Sequence, residues 1–217
     1  MGTGGLVAED VQAYIANLVR RPVDADAVLR DMEKRAREPR FPIIGAEVGA
    51  LLEILARLRG ARRVFEVGSG FGYSAWFFAR AVGPTGEVHL TDFKKENLDA
   101  ARDYLGRAGF KTRFVFHEGD AMESLRREVA KAPFDVYLVD ADKNRYPAYW
   151  DLIRPRLRPN DVVIADNLLW DGQVADPKVT DEDTNGLREF ARRAANDEGI
   201  RFTLLPVRDG VGVAVKL

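Results

Sequence analysis

Two short stretches carry acidic and amide side chains where apolar strands should end. Residues 136–143 read VYLVDADK, and residues 162–172 read VVIADNLLWDG. The pair Asp166-Asn167 fits a loop start or a helix cap, but the same side chains can also bind a cation. Together with Asp140 they offer three oxygen ligands and no nitrogen or sulfur. That set suits Mg²⁺, with Mn²⁺ or Ca²⁺ as alternatives.

A lysine follows the first of these carboxylates closely. Lys143 lies three positions after Asp140. A cation bound nearby would help the lysine amine to lose its proton and act as a general base. Mg²⁺ keeps about three of its six positions for water or substrate, so an acceptor with two neighbouring oxygens could occupy two of them. The alternative for Lys143 is a solvated surface lysine.

A glycine-rich turn lies earlier in the chain, in the stretch FEVGSGFGYS at residues 65–74. Its glycines, at positions 68, 70 and 72, permit positive φ and let a ligand approach the backbone closely. The dinucleotide fingerprint would need another glycine at position 73, where this chain has Tyr73. A tight turn between a strand and a helix is the alternative interpretation.

Two further acidic positions follow apolar stretches. Asp92 ends VHLTD, where a carboxylate can reach ribose hydroxyls in nucleotide-binding α/β folds or can cap the next helix. The sequence EGDA at residues 118–121 ends another stretch, where a side chain and backbone could contact an adenine edge.

The elements that must position these residues alternate along the chain. Helices are expected within residues 8–38 and 45–58. Strands are expected at 64–67, 87–91, 112–117, 134–139, 161–165, 202–206 and 212–215. Helices are expected between them, for about ten residues from Tyr73 and then at 97–108, 122–130, 146–157 and 185–198. This order predicts a doubly wound, mostly parallel seven-stranded α/β sheet that ends in an antiparallel hairpin.

We expect the chain to form one domain. It would consist of N-terminal helices in residues 1–60 and an α/β core in residues 61–217. In such sheets, ligands bind at the carboxyl ends of the strands. The acidic residues described above all follow strands, so they should meet at one rim.

Composition excludes several other kinds of site. The 217 residues carry a formal net charge of −1 and include no cysteine, with histidine at positions 89 and 117 alone. Thiolate chemistry and disulfides are therefore absent, and a histidine-based metal site is poorly supplied. No signal peptide or membrane span is evident, so we expect a cytoplasmic protein with no membrane partner.

The glycine turn and the acidic residues after it resemble the class I S-adenosylmethionine-dependent methyltransferases. A glycine-rich, acidic site without Lys or Arg in its loop suits a sulfonium cation better than phosphates. The resemblance implies that S-adenosylmethionine is the cofactor. It further implies that the methionine part of the cofactor lies near Glu66, Gly68, Gly70 and Ser74. The ribose would lie near Asp92, and the adenine would lie near Asp120 and Ala121.

VDADKNRYPAYW and ADNLLWDGQV resemble the cation-dependent O-methyltransferases that include catechol and caffeoyl-CoA O-methyltransferases. The similarity runs from about residue 42 to the C-terminus and includes LLPVRDGVGV. It implies that Asp140, Asp166 and Asn167 bind the metal and that Lys143 is the catalytic base. It also implies a homodimer and direct methyl transfer to a hydroxyl of a small catechol-like phenol. Tyr146 and Trp170 would lie near the acceptor, or would be core or lid aromatics.

Other functions stay open at this stage. The N-terminal third is similar to a bacterial branch that methylates 5-hydroxyuridine at the tRNA wobble position, and RLRGARR and RPRLRP are rich in arginine. A basic rim would favour that acceptor. A binding protein without catalysis is disfavoured because the cofactor, metal and base positions are all filled. An NAD-dependent oxidoreductase is disfavoured by Tyr73 and by the metal ligands.

Overall fold

The computed structural model describes residues 9–37 and 41–217, and a seven-stranded sheet organises them. The strand order is β3-β2-β1-β4-β5-β7-β6. The first five strands pair in parallel, and β7 pairs antiparallel with both β5 and β6. The strands are β1 Arg63–Val67, β2 Glu87–Asp92, β3 Arg113–Glu118, β4 Val136–Val139, β5 Val162–Ala165, β6 Ile200–Leu205 and β7 Val211–Lys216.

Nine α-helices surround this sheet in the part of the chain that the structure describes. None of them combines the length and the apolar character needed to cross a membrane. They are α1 Glu9–Val19, α2 Arg21–Ala25, α3 Ala27–Arg37, α4 Gly45–Arg59, α5 Tyr73–Val82, α6 Lys95–Arg107, α7 Ala121–Lys131, α8 Tyr146–Ile153 and α9 Glu182–Asn196.

The core has two parts, one on each face of the sheet. On one face, side chains such as Leu52 of α4 and Phe77 of α5 pack together with alternate strand residues. On the other face, α7, α8 and α9 contribute residues such as Leu125 and Phe190. Every residue of β4 is buried, with successive side chains assigned to opposite faces. This burial on both faces explains why the central strands are continuously apolar.

The predicted fold class is confirmed, and the differences concern boundaries. The helix predicted over 146–157 ends at Ile153 and continues as a 3₁₀ turn, because Pro155 cannot donate a helical hydrogen bond. The helix predicted from 185 begins at Glu182, because the side chain of Asp181 accepts a 2.9 Å hydrogen bond from the backbone N–H of Thr184.

The structure also refines the prediction for the C-terminal hairpin and for the N-terminal helical region. The C-terminal hairpin inserts β7 beside β5 and leaves β6, rather than β7, at the edge of the sheet. The helical region predicted over 8–38 consists of three helices, one of which begins just before Pro22. The beginning of that region, at residue 8, and its end, at residue 38, lie outside the described residues.

Candidate active site

The carboxyl ends of the parallel strands border a cleft of about 1280 Å³. Small-molecule sites usually occupy 300–1,000 Å³, so this cleft has room for a nucleotide-sized ligand and a second small molecule. The N-terminal helices close one side of it, and the loop between β6 and β7 closes another. Among its lining residues are Gly68, Gly70, Ser74, Asp92, Ala121, Asp140, Lys143, Asp166, Asn167 and Trp170, each of which the sequence indicated.

The two acidic stretches meet at this cleft because their strands are neighbours. Strand β4 pairs with β5 so that Val139 lies opposite Ala165. Asp140 and Asp166, the next residues along, therefore come side by side. Asp166 is 6% exposed, and its Oδ1 has no hydrogen-bond partner. Burial, followed by repulsion from Asp140, raises the pKa of Asp166. A bound cation would supply the missing partner, so the residues present fit a divalent metal.

The amide of Asn167 is held from the opposite side. Its Nδ2 donates a 3.2 Å hydrogen bond to Oδ2 of Asp209, in the loop between β6 and β7. Since the amino group is used in this way, the carbonyl oxygen of Asn167 is left as the atom available to a cation. The backbone of Asn167 has a φ of 61°, which non-glycine residues rarely adopt. Asparagine adopts this left-handed conformation more readily than most other residues, which suits it to this position.

Asp209 is a site residue that the sequence did not indicate. Its second oxygen, Oδ1, accepts a 2.6 Å hydrogen bond from the backbone N–H of Asp171. One carboxylate thus ties the side chain of Asn167 to the loop after β5. The available signal was its position in LLPVRDGVGV, a stretch that carried the resemblance without carrying a residue role.

Lys143 is fixed by two short contacts. Its Nζ donates to Oδ1 of Asp140 at 2.8 Å and to the hydroxyl oxygen of Tyr146 at 3.0 Å. The side chain is 11% exposed and lines the cleft, so it is not a solvated surface lysine. An amine held between a carboxylate and a hydroxyl has one remaining position for a group in the cleft.

The structure corrects the expectation for Tyr146. This residue is fully buried and does not line the cleft. Its hydroxyl lies 3.0 Å from the carbonyl oxygen of Val139 and 3.1 Å from that of Asp166, and it can donate to either. Tyr146 is therefore a core aromatic residue. Its hydroxyl accepts a hydrogen bond from Nζ of Lys143 on the buried side of the lysine. Trp170 is half-buried at the wall of the cleft, as an acceptor contact or a lid residue would be.

The glycine turn joins three strand ends at the other half of the cleft. Gly68 has a φ of +85°, and an added Cβ there would clash with the carbonyl oxygen of Asp140. Glycine is therefore required by the neighbouring strand as well as by any ligand. The backbone N–H of Gly68 donates to the hydroxyl of Thr91 at 3.0 Å, and that of Thr91 donates to the hydroxyl of Ser69 at 3.0 Å. These bonds hold the turn against the end of β2.

Glu66 lies beneath this turn and is completely buried. Burial raises the pKa of Glu66 to about 8, although the hydroxyls of Ser74 and Ser69 lie near enough to favour the charged form. Neither carboxylate oxygen has a hydrogen-bond partner of normal geometry. A buried carboxylate without a partner is costly, and a cationic group in the cleft would offset that cost. Glu66 itself does not line the cleft, so its assignment to the methionine part of the cofactor stays a prediction.

Asp92 and Asp120 differ in what their carboxylates contact. Asp92 lines the cleft, and its Oδ1 also accepts hydrogen bonds from the backbone N–H of Lys94 at 2.7 Å and from Asn97 at 3.0 Å. Asp120 does not line the cleft. It caps α7 and accepts two hydrogen bonds from Arg145, at 3.0 and 3.2 Å. At this position Gly119 and Ala121 line the cleft, whereas Asp120 does not.

The chain is similar to known proteins over most of its length. The sequence model of the O-methyltransferase family matches residues 22–217. A catechol O-methyltransferase from Niastella koreensis is 27% identical over 216 residues, covering 96% of this chain and 97% of its own. A Mycobacterium tuberculosis protein named as an O-methyltransferase is 32% identical over 197 residues, covering 89% of this chain and 87% of its own.

Solved structures are similar over nearly the whole chain. An O-methyltransferase from Bacillus cereus, in complex with SAH, superposes with a TM-score of 0.85 at 28% identity, covering 96% of this chain and 97% of that one. The O-methyltransferase TomG from Streptomyces achromogenes, involved in tomaymycin synthesis and in complex with SAM, has a TM-score of 0.84 at 31% identity, covering 95% of this chain and 96% of that one.

Proposed function

Because the chain belongs to the O-methyltransferase family, we propose that it methylates a hydroxyl of a small phenol that carries two adjacent oxygens, and that it requires a divalent cation such as Mg²⁺. Structures similar to it hold SAM or its product SAH, which supports S-adenosylmethionine as the methyl donor. The observation that carries the metal requirement is the buried, unpartnered Oδ1 of Asp166 beside Asp140.

The chemistry is a direct displacement at carbon. When bound by Asp140, Asp166 and Asn167, the metal would lower the pKa of an acceptor hydroxyl. The acceptor oxygen then forms a bond to the methyl carbon while the carbon–sulfur bond breaks, and sulfur keeps the electron pair. The products are a methyl ether, S-adenosylhomocysteine and a proton. An anion and a cation combine in this step, so positioning and exclusion of water supply most of the rate increase.

Lys143 is the residue that would receive the acceptor's proton. Its Nζ is held 2.8 Å from Asp140, which places the amine beside the expected metal position. Tyr146 holds the same nitrogen from the buried side, at 3.0 Å. With two directions occupied, the remaining one is open to the cleft. The arrangement therefore fits a base that acts in one fixed direction.

The positions of the two arginine-rich stretches do not support a tRNA acceptor. The arginine-rich stretches 57–63 and 154–159 precede β1 and β5, at the end of the sheet opposite to the cleft. Arg59 lies 2.7 Å from the buried carboxylate of Asp161, and Arg154 forms an ion pair with a neighbouring acid. Arg59 and Arg154 therefore form ion pairs at the end of the sheet away from the cleft, and they do not contribute to a basic surface around the cleft.

The test is a methyl-transfer assay with labelled S-adenosylmethionine and Mg²⁺, using catechol-type phenols beside tRNA that lacks wobble methylation. We expect transfer to the phenols that is lost when EDTA is added. Transfer to tRNA alone would replace the proposed acceptor with 5-hydroxyuridine. Full turnover in EDTA would overturn the metal requirement. Asp166→Ala should abolish the activity while the fold persists, and Asp176→Ala, in an exposed segment, is the matched control.

We also infer that the chain forms a homodimer. Helix α1 exposes four apolar side chains at the spacing of one helix face: Val11, Tyr14, Ile15 and Leu18, which are 41–65% exposed. An unpartnered apolar face of this kind favours association. Light scattering coupled to gel filtration measures the mass directly, and a mass near 24.3 kDa would contradict the inference.

A further inference from the structure

The arginine at position 208 reaches the cleft without a partner in the described part of the chain. It lies in the loop between β6 and β7, lines the cleft and is exposed. Neither a hydrogen bond nor an ion pair to another described residue engages its guanidinium group. A guanidinium group carries five donors and a permanent charge, so this side chain is suited to an anion.

The backbone holds Arg208 in this position at some cost. Its φ is 51°, in the left-handed region that favours glycine and is strained for other residues. The next residue, Asp209, bonds to Asn167 and so fixes the loop relative to the expected metal ligands. The side chain also lies against Gly45, where an added Cβ would clash with Nη1 and would lie 2.8 Å from Cζ. Gly45 thus makes room for this arginine.

The neighbouring charges leave the positive charge of Arg208 available. Arg20 and Glu33 pair with each other at 3.0 Å, and Glu33 also accepts a 3.0 Å hydrogen bond from the hydroxyl of Tyr73. Glu47 also lies close to Arg208, since its Oε2 would be 3.3 Å from a Cβ added at Gly45, but the two side chains form no ion pair within 4.0 Å. Arg37 adds a further exposed cation to this wall.

The cleft is therefore unequal in charge. The metal and cofactor half is lined by five carboxylates, at Asp92, Asp140, Asp142, Asp166 and Asp209, and by two lysines, at Lys94 and Lys143. The wall that includes Arg208 is lined by three arginines and two glutamates, at Arg20, Arg37, Arg208, Glu33 and Glu47. An acceptor with hydroxyls at one end and an anion at the other would match both halves.

We propose that Arg208 determines acceptor specificity, by binding a carboxylate that the phenolic acceptor carries at the end away from its two hydroxyls. This inference rests on the proposed methyl transfer and narrows its substrate class to acidic catechols. A hydrogen bond to a charged group is typically worth about 1.5–3 kcal/mol, which corresponds to a preference of roughly 10- to 150-fold.

The experiment compares acceptors that differ in charge alone. The two acids are 3,4-dihydroxybenzoate and the longer 3,4-dihydroxycinnamate, and each is paired with its neutral amide. We measure kcat/KM for all four with the wild-type protein, Arg208→Gln and Arg208→Lys, at saturating S-adenosylmethionine and Mg²⁺. The pair of lengths reports how far the carboxylate lies from the hydroxyls.

The wild-type protein should prefer at least one acid over its amide by 10-fold or more, mainly through KM. Arg208→Gln should remove this preference and change kcat/KM for the amides by less than about 2-fold. Arg208→Lys should keep part of the preference. Affinity for S-adenosylhomocysteine, measured by calorimetry, should stay the same in both variants, which separates a specificity role from damage to the fold.

Two other outcomes are distinguishable. Equal transfer to acids and amides, or an equal loss for both in Arg208→Gln, would overturn the inference and leave the proposed methyl transfer intact. Absence of transfer to every catechol would overturn the proposed function, and the inference would fall with it.

Discussion

The side-chain amide of Asn167 donates a 3.2 Å hydrogen bond to the carboxylate of Asp209, which lies 42 positions later in the chain. The two residues belong to different loops at the same rim, one after β5 and one between β6 and β7. Groups that orient a metal ligand typically contribute 10- to 100-fold to metal affinity. Asp209 is therefore as informative about the site as the expected ligands themselves.

Asp209→Ala should weaken divalent-metal binding by about 10- to 100-fold, because the amide of Asn167 is then free to rotate its oxygen away. Calorimetry with Mg²⁺ or Mn²⁺, in the presence of S-adenosylhomocysteine, measures this without relying on turnover. Asp209→Asn keeps one accepting oxygen and should retain part of the affinity. Unchanged affinity in Asp209→Ala would show that Asn167 is either held by other groups or is not a ligand.

Tyr146→Phe should lower kcat by about 10-fold and leave the KM for acceptor nearly unchanged. The hydroxyl that is removed lies 3.0 Å from Nζ of Lys143, and Tyr146 itself does not line the cleft. Loss of one buried hydrogen bond costs about 1–3 kcal/mol. Without this bond, Nζ of Lys143 is held less firmly in the position where it would act as the base. Steady-state kinetics across several pH values test this. A large rise in KM with unchanged kcat would instead indicate that Tyr146 contacts the acceptor.

Asp92→Ala should weaken binding of S-adenosylhomocysteine by roughly 10- to 100-fold, because a charged acceptor of hydrogen bonds is lost from the cleft. The control is Asp181→Ala, which removes a helix-capping aspartate that does not line the cleft. It should lower stability by about 1 kcal/mol and leave the affinity unchanged. Calorimetry on both variants decides the matter, and equal affinities would remove Asp92 from the cofactor site.

The sequence was sufficient where position along a strand determines position in space. Asp140, Asp166 and Asn167 follow adjacent parallel strands, so the sheet alone brings them together. It was insufficient where a side chain's direction depends on a distant partner. Asp120 turns to Arg145, 25 positions away. Asp209 and Arg208 enter the cleft because β7 inserts beside β5, which hydrophobic patterning does not specify.

The side-chain ring of Tyr146 illustrates the same limit at short range. Tyr146 follows Lys143 by three residues, and its hydroxyl lies 3.0 Å from Nζ of the lysine. Residue spacing alone does not determine whether the ring of Tyr146 points into the cleft or into the core. Tyr146 belongs to the face of α8 that packs against the sheet. Burial against Phe190 and Tyr149 decides it.

Away from the cleft, the two histidines form a continuous hydrogen-bonded chain. Arg127 lies 3.1 Å from Nδ1 of His117, whose Nε2 lies 3.0 Å from Nδ1 of His89, and Nε2 of His89 lies 3.2 Å from a carboxylate oxygen of Glu87. An arginine can only donate and a carboxylate can only accept. The direction of every bond is thereby fixed, and both rings are neutral with hydrogen on Nε2.

This chain predicts how stability depends on pH. Burial lowers the pKa of His117 to about 4, against about 6.5 in the unfolded chain. Between these values the unfolded state binds the proton and the folded state does not. The free energy of unfolding therefore falls as pH decreases from 6.5 to 4. Burial lowers the pKa of His89 in the same direction.

His117→Gln should flatten this dependence, because a glutamine amide can accept from Arg127 and donate to His89 without titrating. The loss of stability between pH 7 and pH 4.5 should be about 2 kcal/mol smaller in the variant than in the wild-type protein. Urea unfolding at several pH values measures the difference, and His89 keeps a residual slope in both proteins. Parallel curves for the two proteins would mean that His117 does not resist protonation in the folded state.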